Sequence, residues 1–244
     1  MWNDAVDLRD FYRTSLGGLT RRVIRQRVRD IWDNTAGQRI LGLGYATPYL
    51  LPLQDGAERV IAAMPARQGV LHWPSDGAGK VTLCDEAEIP LPDVSMDRVL
   101  LVHALECSEQ LRPMLREVWR VLADGGRLMV VVPNRRGIWA RMDRTPFGHG
   151  YPYSPAQLNR LLRDTLFTPI RTERALFAPP SRSRMVIASA PAWEQVGQRL
   201  FPTFSGVLIS EAGKQVYAAS SDTPKAQRRR RYTATVPGAN RVRD

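Results

Sequence analysis

Two short apolar runs without alternation, residues 98–102 (RVLLV) and 128–132 (LMVVV), constrain this chain more than any other feature. A strand with one wet face alternates apolar and polar side chains, so continuous runs of this length belong to strands covered on both faces. Between them Leu111, Leu115, Val118, Trp119 and Leu122 recur at helical spacing. Ser108 is placed to cap that helix, and Asp124-Gly125-Gly126 to end it. Upstream, Ile40-Leu41, residues 60–64 (VIAAM) and residues 80–84 (KVTLC) read as further strands, with 69–73 as another strand or an edge extension. Residues 169–177 and 205–217 supply later ones. Strands that alternate with helices predict an α/β fold, a doubly wound and mostly parallel sheet.

The flanks break this rhythm. Residues 4–33 read as helical, with Val6, Leu8, Phe11 and Tyr12 on one apolar face, an interruption at Gly17-Gly18, and a second run through Leu19, Val23, Ile24, Val28, Ile31 and Trp32. Arg21, Arg22, Arg25, Arg27 and Arg29 fill most remaining positions of that run, either as a solvated face or as a patch for an anionic substrate or nucleic acid. Residues 135–153, rich in Gly, Pro, Arg and aromatics, read as a loop or lid carrying His149 and Tyr151. Ser154-Pro155 starts a helix through Leu158, Leu161, Leu162 and Leu166, and a short helix falls near 193–200. Beyond Ser220 apolar periodicity stops. The expected division is therefore an N-terminal helical extension over 1–35, the α/β domain over 36–220, and a disordered basic tail over 221–244.

Charge separates the classes of partner. The formal net charge is +11, and seven of the basic residues crowd into positions 222–244 against two aspartates. Arg228, Arg229, Arg230 and Arg231 with Tyr232 could hold nucleic-acid phosphates, although a solubilising tail explains them as well. Cys84 and Cys107 fit no metal spacing and no disulfide framework, so no metal is expected. No apolar run approaches the roughly 18–20 residues of a membrane helix. Asp4, Asp7 and Asp10 stand where a signal peptide would be basic and then apolar, so a cytoplasmic protein without membrane partners is expected.

The residues that carry chemistry gather at strand ends. Residues 38–51, QRILGLGYATPYLL, run from the first strand into Gly42-Leu43-Gly44, where the absence of Cβ lets backbone approach a ligand. Asp85-Glu86 follow the third strand, and His103 and Glu106 the fourth. In an open α/β sheet these carboxyl ends face one ligand-binding crevice. Tyr45 either packs on a ligand there, where its ring suits a cation, or fills the space.

On residues 83–106 (LCDEAEIPLPDVSMDRVLLVHALE) and 121–134 (VLADGGRLMVVVPN), the chain resembles the class I S-adenosylmethionine-dependent methyltransferases of the type 11 branch. The resemblance implies a seven-stranded Rossmann-like sheet, S-adenosylmethionine as cofactor, and methyl transfer to an unidentified acceptor. It implies cofactor contacts at the Gly42–Gly44 turn and at Asp85 and Glu86; with the strand-end positions of Tyr45 and His103, the candidate cofactor residues are Gly42, Gly44, Tyr45, Asp85, Glu86 and His103, and no catalytic residue is named. The sequence departs from the family where Gly42 replaces the acidic residue of the first turn and Ala46 and Pro48 replace two glycines. Met64 stands where a carboxylate would hold the ribose. These departures motivate the alternative of a catalytically inactive, methyltransferase-like binding or regulatory module.

Overall fold

The chain was described from a computed structural model that covers residues 4–215. The basic run at 228–231, the end of the last predicted strand and the expected tail lie outside the described residues. Seven strands form one sheet: β1 (Arg39–Gly44), β2 (Arg59–Pro65), β3 (Val81–Cys84), β4 (Met96–Val102), β5 (Leu122–Pro133), β6 (Phe167–Ala175) and β7 (Val207–Lys214). Their order is β3-β2-β1-β4-β5-β7-β6, with β7 antiparallel to both neighbours and the first five parallel. The chain crosses over after β3 to place β4 on the far side of β1, so a crevice opens at the carboxyl ends of β1 and β4.

Two layers of helix cover the sheet. On one face α1 (Ala5–Arg13) and α2 (Ser15–Ile31) press Leu8, Phe11, Ile24 and Val28 onto Ile40, Val60, Leu100, Met129 and Ile209. On the other, α4 (Leu111–Val121) and α5 (Pro155–Asp164) press Met114, Leu115, Val118, Leu158 and Leu162 onto Leu41, Val99, Leu101, Leu128 and Val130. Leu100 and Leu101 thus serve opposite cores, which is why β4 has no polar alternation. Ser154 and Gln157 form a reciprocal cap that starts α5. Between β1 and β2 lie only α3 (Thr47–Leu50) and a 3-10 turn over Leu51–Leu53, and the connections 66–80 and 85–95 contain no helix. A last pair, α6 (Arg184–Ala188) and α7 (Ala190–Leu200), links β6 to β7.

Three local expectations need correction. The N-terminal helices part at Thr14 and not at Gly17-Gly18, because the Thr14 hydroxyl accepts from the Gly17 amide at 3.0 Å while donating to the Phe11 carbonyl at 2.7 Å. Gly17 is inside α2 because a Cβ there would collide with the Phe11 backbone. Residues 69–73 form no strand, since β3 already pairs with β2 along that edge. Asp124-Gly125-Gly126 does not end a helix: α4 stops at Val121, and the β4–β5 pairing jumps from Met96–Leu122 to Arg98–Arg127. The intervening residues bulge, with Gly125 at φ 77°.

α2 is anchored at its far end. Glu211 of β7 accepts from the Trp32 indole at 3.1 Å and from Arg171 at 3.0 Å, while Arg171 donates to the Ile31 carbonyl at 2.6 Å. A guanidinium on the last carbonyls of a helix satisfies groups that have no intrahelical partner.

Candidate functional site

The site begins with the turn after β1. Gly44 has φ 81°, and a Cβ there would run into the Val102 carbonyl. Only glycine lets β1 and the end of β4 close up in this way. Gly42 does something else. A Cβ at Gly42 would lie 2.6 Å from Leu50 and 2.8 Å from Ala46, so its missing side chain makes room for α3 rather than for a ligand. An acidic residue could not stand there without displacing Leu50.

The end of β4 turns at His103, which takes φ 50°. That left-handed step puts the imidazole among buried partners. Its Nε2 lies 2.8 Å from the Tyr12 hydroxyl of α1, and its Nδ1 lies 3.1 Å from Glu106 Oε1. The Tyr49 hydroxyl donates to the Tyr12 oxygen at 2.9 Å. These three contacts assign the protons: Tyr12 O–H donates to Nε2, and Nδ1–H donates to the carboxylate. His103 and Glu106 are each 1% exposed, Tyr12 is 3%, and Tyr49 is fully buried. Burial pushes the phenols of Tyr12 and Tyr49 well above the usual range, and that of Tyr45 up to about 12, so all three stay neutral. Tyr45 stacks on Tyr12 with centroids 5.7 Å apart, and Phe147 stands 5.0 Å from the imidazole.

Gln68, in the loop after β2, ties the parts together. It donates to the His103 carbonyl, and its own carbonyl receives the Ala5 amide at 2.7 Å, which fixes the start of α1 over the crevice. Two buried acceptors here have no partner among the described residues: Gln68 Oε1 and Glu106 Oε2. Most buried polar side-chain atoms in folded proteins have a partner, so these two oxygens stand out.

Beside them a cavity of about 290 Å³ runs between Pro65 and Gln68 on one side and Glu86, His103, Ala104 and Cys107 on the other. Arg67 and Glu109 form an ion pair across its mouth. Glu86 Oε1 accepts from the Ser108 hydroxyl at 3.0 Å and from the amides of Glu109 and Gln110 at 3.1 and 2.8 Å. It therefore pins the turn that leads into α4 from across the crevice, and Ser108, expected to cap that helix, donates to Glu86 instead, while the N-cap position falls on Gln110. Asp85 is exposed and closes its own turn on the Ala87 amide at 2.8 Å. The Cys107 thiol is driven up by burial and the Cys84 thiol up to about 11, so neither is a ready nucleophile.

Of the six residues singled out from sequence, Gly44, Tyr45 and His103 therefore meet at one end, and Glu86 borders the same cavity as His103. Asp85 lies outside that lining, and Gly42 faces α3. His149 bonds to the Asp143 carbonyl within its loop, and Tyr151 is 74% exposed. Gln68 and Tyr49 escaped the sequence reading, because a glutamine in a loop and a tyrosine beside two prolines carry no local signal.

The arrangement has known counterparts. Residues 41–130 match the family described as "Methyltransferase domain", and they contain β1, β2, β3, β4 and α4 with the crevice between them. Residues 41–130 carry the fold of a class I methyltransferase domain. The demethylmenaquinone methyltransferase of Corynebacterium efficiens is 32% identical over 132 residues, 53% of this chain and 56% of that one. A Corynebacterium glutamicum protein of the same name is 28% identical over 130 residues, with the same coverage. The chain thus spans about half the length of the curated relatives it matches. Among solved structures, a S-adenosylmethionine-dependent methyltransferase from Thermotoga maritima superposes with a TM-score of 0.59 at 16% identity, covering 85% of this chain and 94% of that one. One from Aquifex aeolicus gives 0.55 at 16% identity, covering 86% and 98%. The cyclase SpnF gives 0.52 at 21% identity, covering 80% of each chain. These similarities show the fold of the methyltransferase domain, and the cyclase shows that the fold hosts more than one reaction.

The family's cofactor can be tested against the residues present. The cavity is lined by Gln68 and Glu86, whose side-chain oxygens are acceptors of the kind that ribose hydroxyls require. Met64 at the end of β2 is buried in the core and offers nothing polar. Beyond Gly44 the space is taken by Tyr45, Tyr12 and Tyr49.

Proposed function

We propose that the protein transfers a methyl group from S-adenosylmethionine to an acceptor, with the nucleoside end of the cofactor held between Gln68 and Glu86. The observation that carries this reading is the coincidence of the family match with a cavity at the carboxyl ends of β2 and β4, bordered by the unpartnered side-chain oxygen Oε1 of Gln68. The cofactor, when bound, supplies a methyl group already activated on a sulfonium. The chain then has to hold the acceptor in line with it and accept any proton the acceptor loses. His103 is built for the second task. Nδ1–H on Glu106 leaves Nε2 as the free base, and an acceptor hydroxyl that displaced Tyr12 would find Nε2 in its place. The curated relatives are named for demethylmenaquinone, and the rings of Tyr12, Tyr45 and Phe147 would suit a planar acceptor of that class.

A second reading rests on one specific feature. Tyr45, stacked on Tyr12 and locked through Tyr49, occupies the side of the crevice past Gly44. If that packing never yields, the domain is a catalytically inactive binding module. Calorimetry with S-adenosylhomocysteine separates the two. The enzyme reading expects saturable heat and a raised unfolding temperature, about 2.7 kcal/mol of added stability at 100-fold over the dissociation constant. Folded protein that gives neither signal removes it.

A further inference from the structure

A depression of about 670 Å³ lies between α2 and the α6–α7 pair, a volume usual for small-molecule sites. None of its lining residues borders the crevice at the strand ends. Leu19 and Val23 of α2, Ile187 and Ala188 of α6, and Pro191 of α7 make it apolar. Arg22 and Arg184 also line it, and both are exposed with no ion-pair partner among the described residues. Arg27 is engaged by Gln198 at 3.0 Å. The single carboxylate in the lining, Glu194, is turned onto the backbone, accepting from the amides of Leu176 and Phe177 at 3.2 and 2.7 Å. A second depression of about 350 Å³ adjoins it along the chain. Leu16 and Arg182 line this one, with Arg144, where Ser15 and Arg184 line the first.

The arginine-rich face of α2 is thereby divided. Arg25 is spent on the Pro48 carbonyl at 2.7 Å, whereas Arg22 is left at the groove. A neutral oil would make no use of the guanidinium groups, and an inorganic anion would make none of the apolar floor. A molecule with one flexible chain and one anionic head uses both. We propose that this groove binds a single-chain amphiphile with a phosphate or carboxylate head. The chain lies over Leu19 and Val23, and the head pairs with Arg22 and Arg184.

The test is calorimetry of the full chain with decyl phosphate, kept below its aggregation threshold, alongside octyl phosphate, decanol and inorganic phosphate. Decyl phosphate should bind, with octyl phosphate weaker by at least about tenfold, since each buried methylene is worth about fourfold. Decanol should be at least about tenfold weaker for want of the charge-assisted bonds, and inorganic phosphate should give no heat. The double variant Arg22→Gln/Arg184→Gln should bring decyl phosphate down to the level of decanol. Ala188→Trp, at an exposed position, should block both without moving the unfolding temperature. Decanol and decyl phosphate binding equally, no heat from decyl phosphate, or binding that survives Ala188→Trp would each overturn the proposal. Protein that binds phosphatidylglycerol vesicles but not monomeric decyl phosphate would overturn it too, in favour of a membrane surface. S-adenosylhomocysteine binding, measured on the same variants, should not change, which separates this outcome from the methyl-transfer reading.

Discussion

Replacing Tyr12 by Phe removes one oxygen that serves two neighbours. The Tyr49 hydroxyl loses its acceptor at 2.9 Å, and His103 Nε2 loses its donor at 2.8 Å, in a region sealed from water. A buried polar group left unpaired costs about 1–3 kcal/mol, so Tyr12→Phe, which strands two, should cost about 2–6 kcal/mol. Tyr49→Phe removes one bond and strands no donor, because Tyr12 keeps its own proton on His103. Its cost should stay near 0.5–1.5 kcal/mol. The double variant no longer strands the Tyr49 hydroxyl, so it should be no less stable than Tyr12→Phe alone. Urea unfolding followed by tryptophan fluorescence would measure all three, and thermal melts should shift by about 2–4 °C per kcal/mol in a chain of this size. Equal costs for the two single variants, or strict additivity in the double, would refute the proton assignment on which the argument rests.

Other changes probe the remaining parts. Glu86→Ala should lower stability by about 0.5–1.5 kcal/mol by releasing the turn before α4 and weaken S-adenosylhomocysteine binding, whereas Glu86→Gln, which keeps an oxygen acceptor, should recover most of the stability in the same denaturation assay. Gly44→Ala should abolish soluble folded protein because the collision is with backbone, while Gly42→Ala, which meets the tip of Leu50, should fold with a lowered melting temperature. Arg39 holds the Asp97 carboxyl below its ordinary range through bonds of 2.8, 3.0 and 3.0 Å. A depressed carboxyl contributes stability above its unfolded value, near 3.9, and loses it as pH falls toward the folded one. Asp97→Asn should therefore lower stability at pH 7 and flatten the acid limb of a stability–pH curve below about pH 4.

The sequence was most readable where burial is symmetric. β4 and β5 declared themselves because both faces of each strand are in a core, and α5 because Ser154 and Pro155 mark its start in adjacent residues. It was least readable where a contact joins distant positions. Nothing near Ser108 says that Glu86, 22 residues earlier, will hold the turn before α4. Gly42 looked like a ligand turn because a glycine needed for helix packing and one needed for a ligand have the same letter. The crevice itself was visible from the strand ends, but its filling was not. Tyr12 and His103 are 91 positions apart, and Gln68 and His103 are 35 apart. Only the crossover that sets β4 beside β1 brings them together.

The anchor at the end of α2 bears on how the chain is made. Trp32 is held by Glu211, 179 residues later. A ribosome adding about 5–20 residues per second needs roughly 10–35 s to supply that partner. During synthesis α1 and α2 emerge before the strands and wait, their oily sides facing solvent, for a sheet not yet translated. The two helices are therefore where a trigger-type chaperone would be engaged longest. A rearranged gene that moves them behind β7 should shorten the wait and raise the yield of folded protein from cells lacking such chaperones.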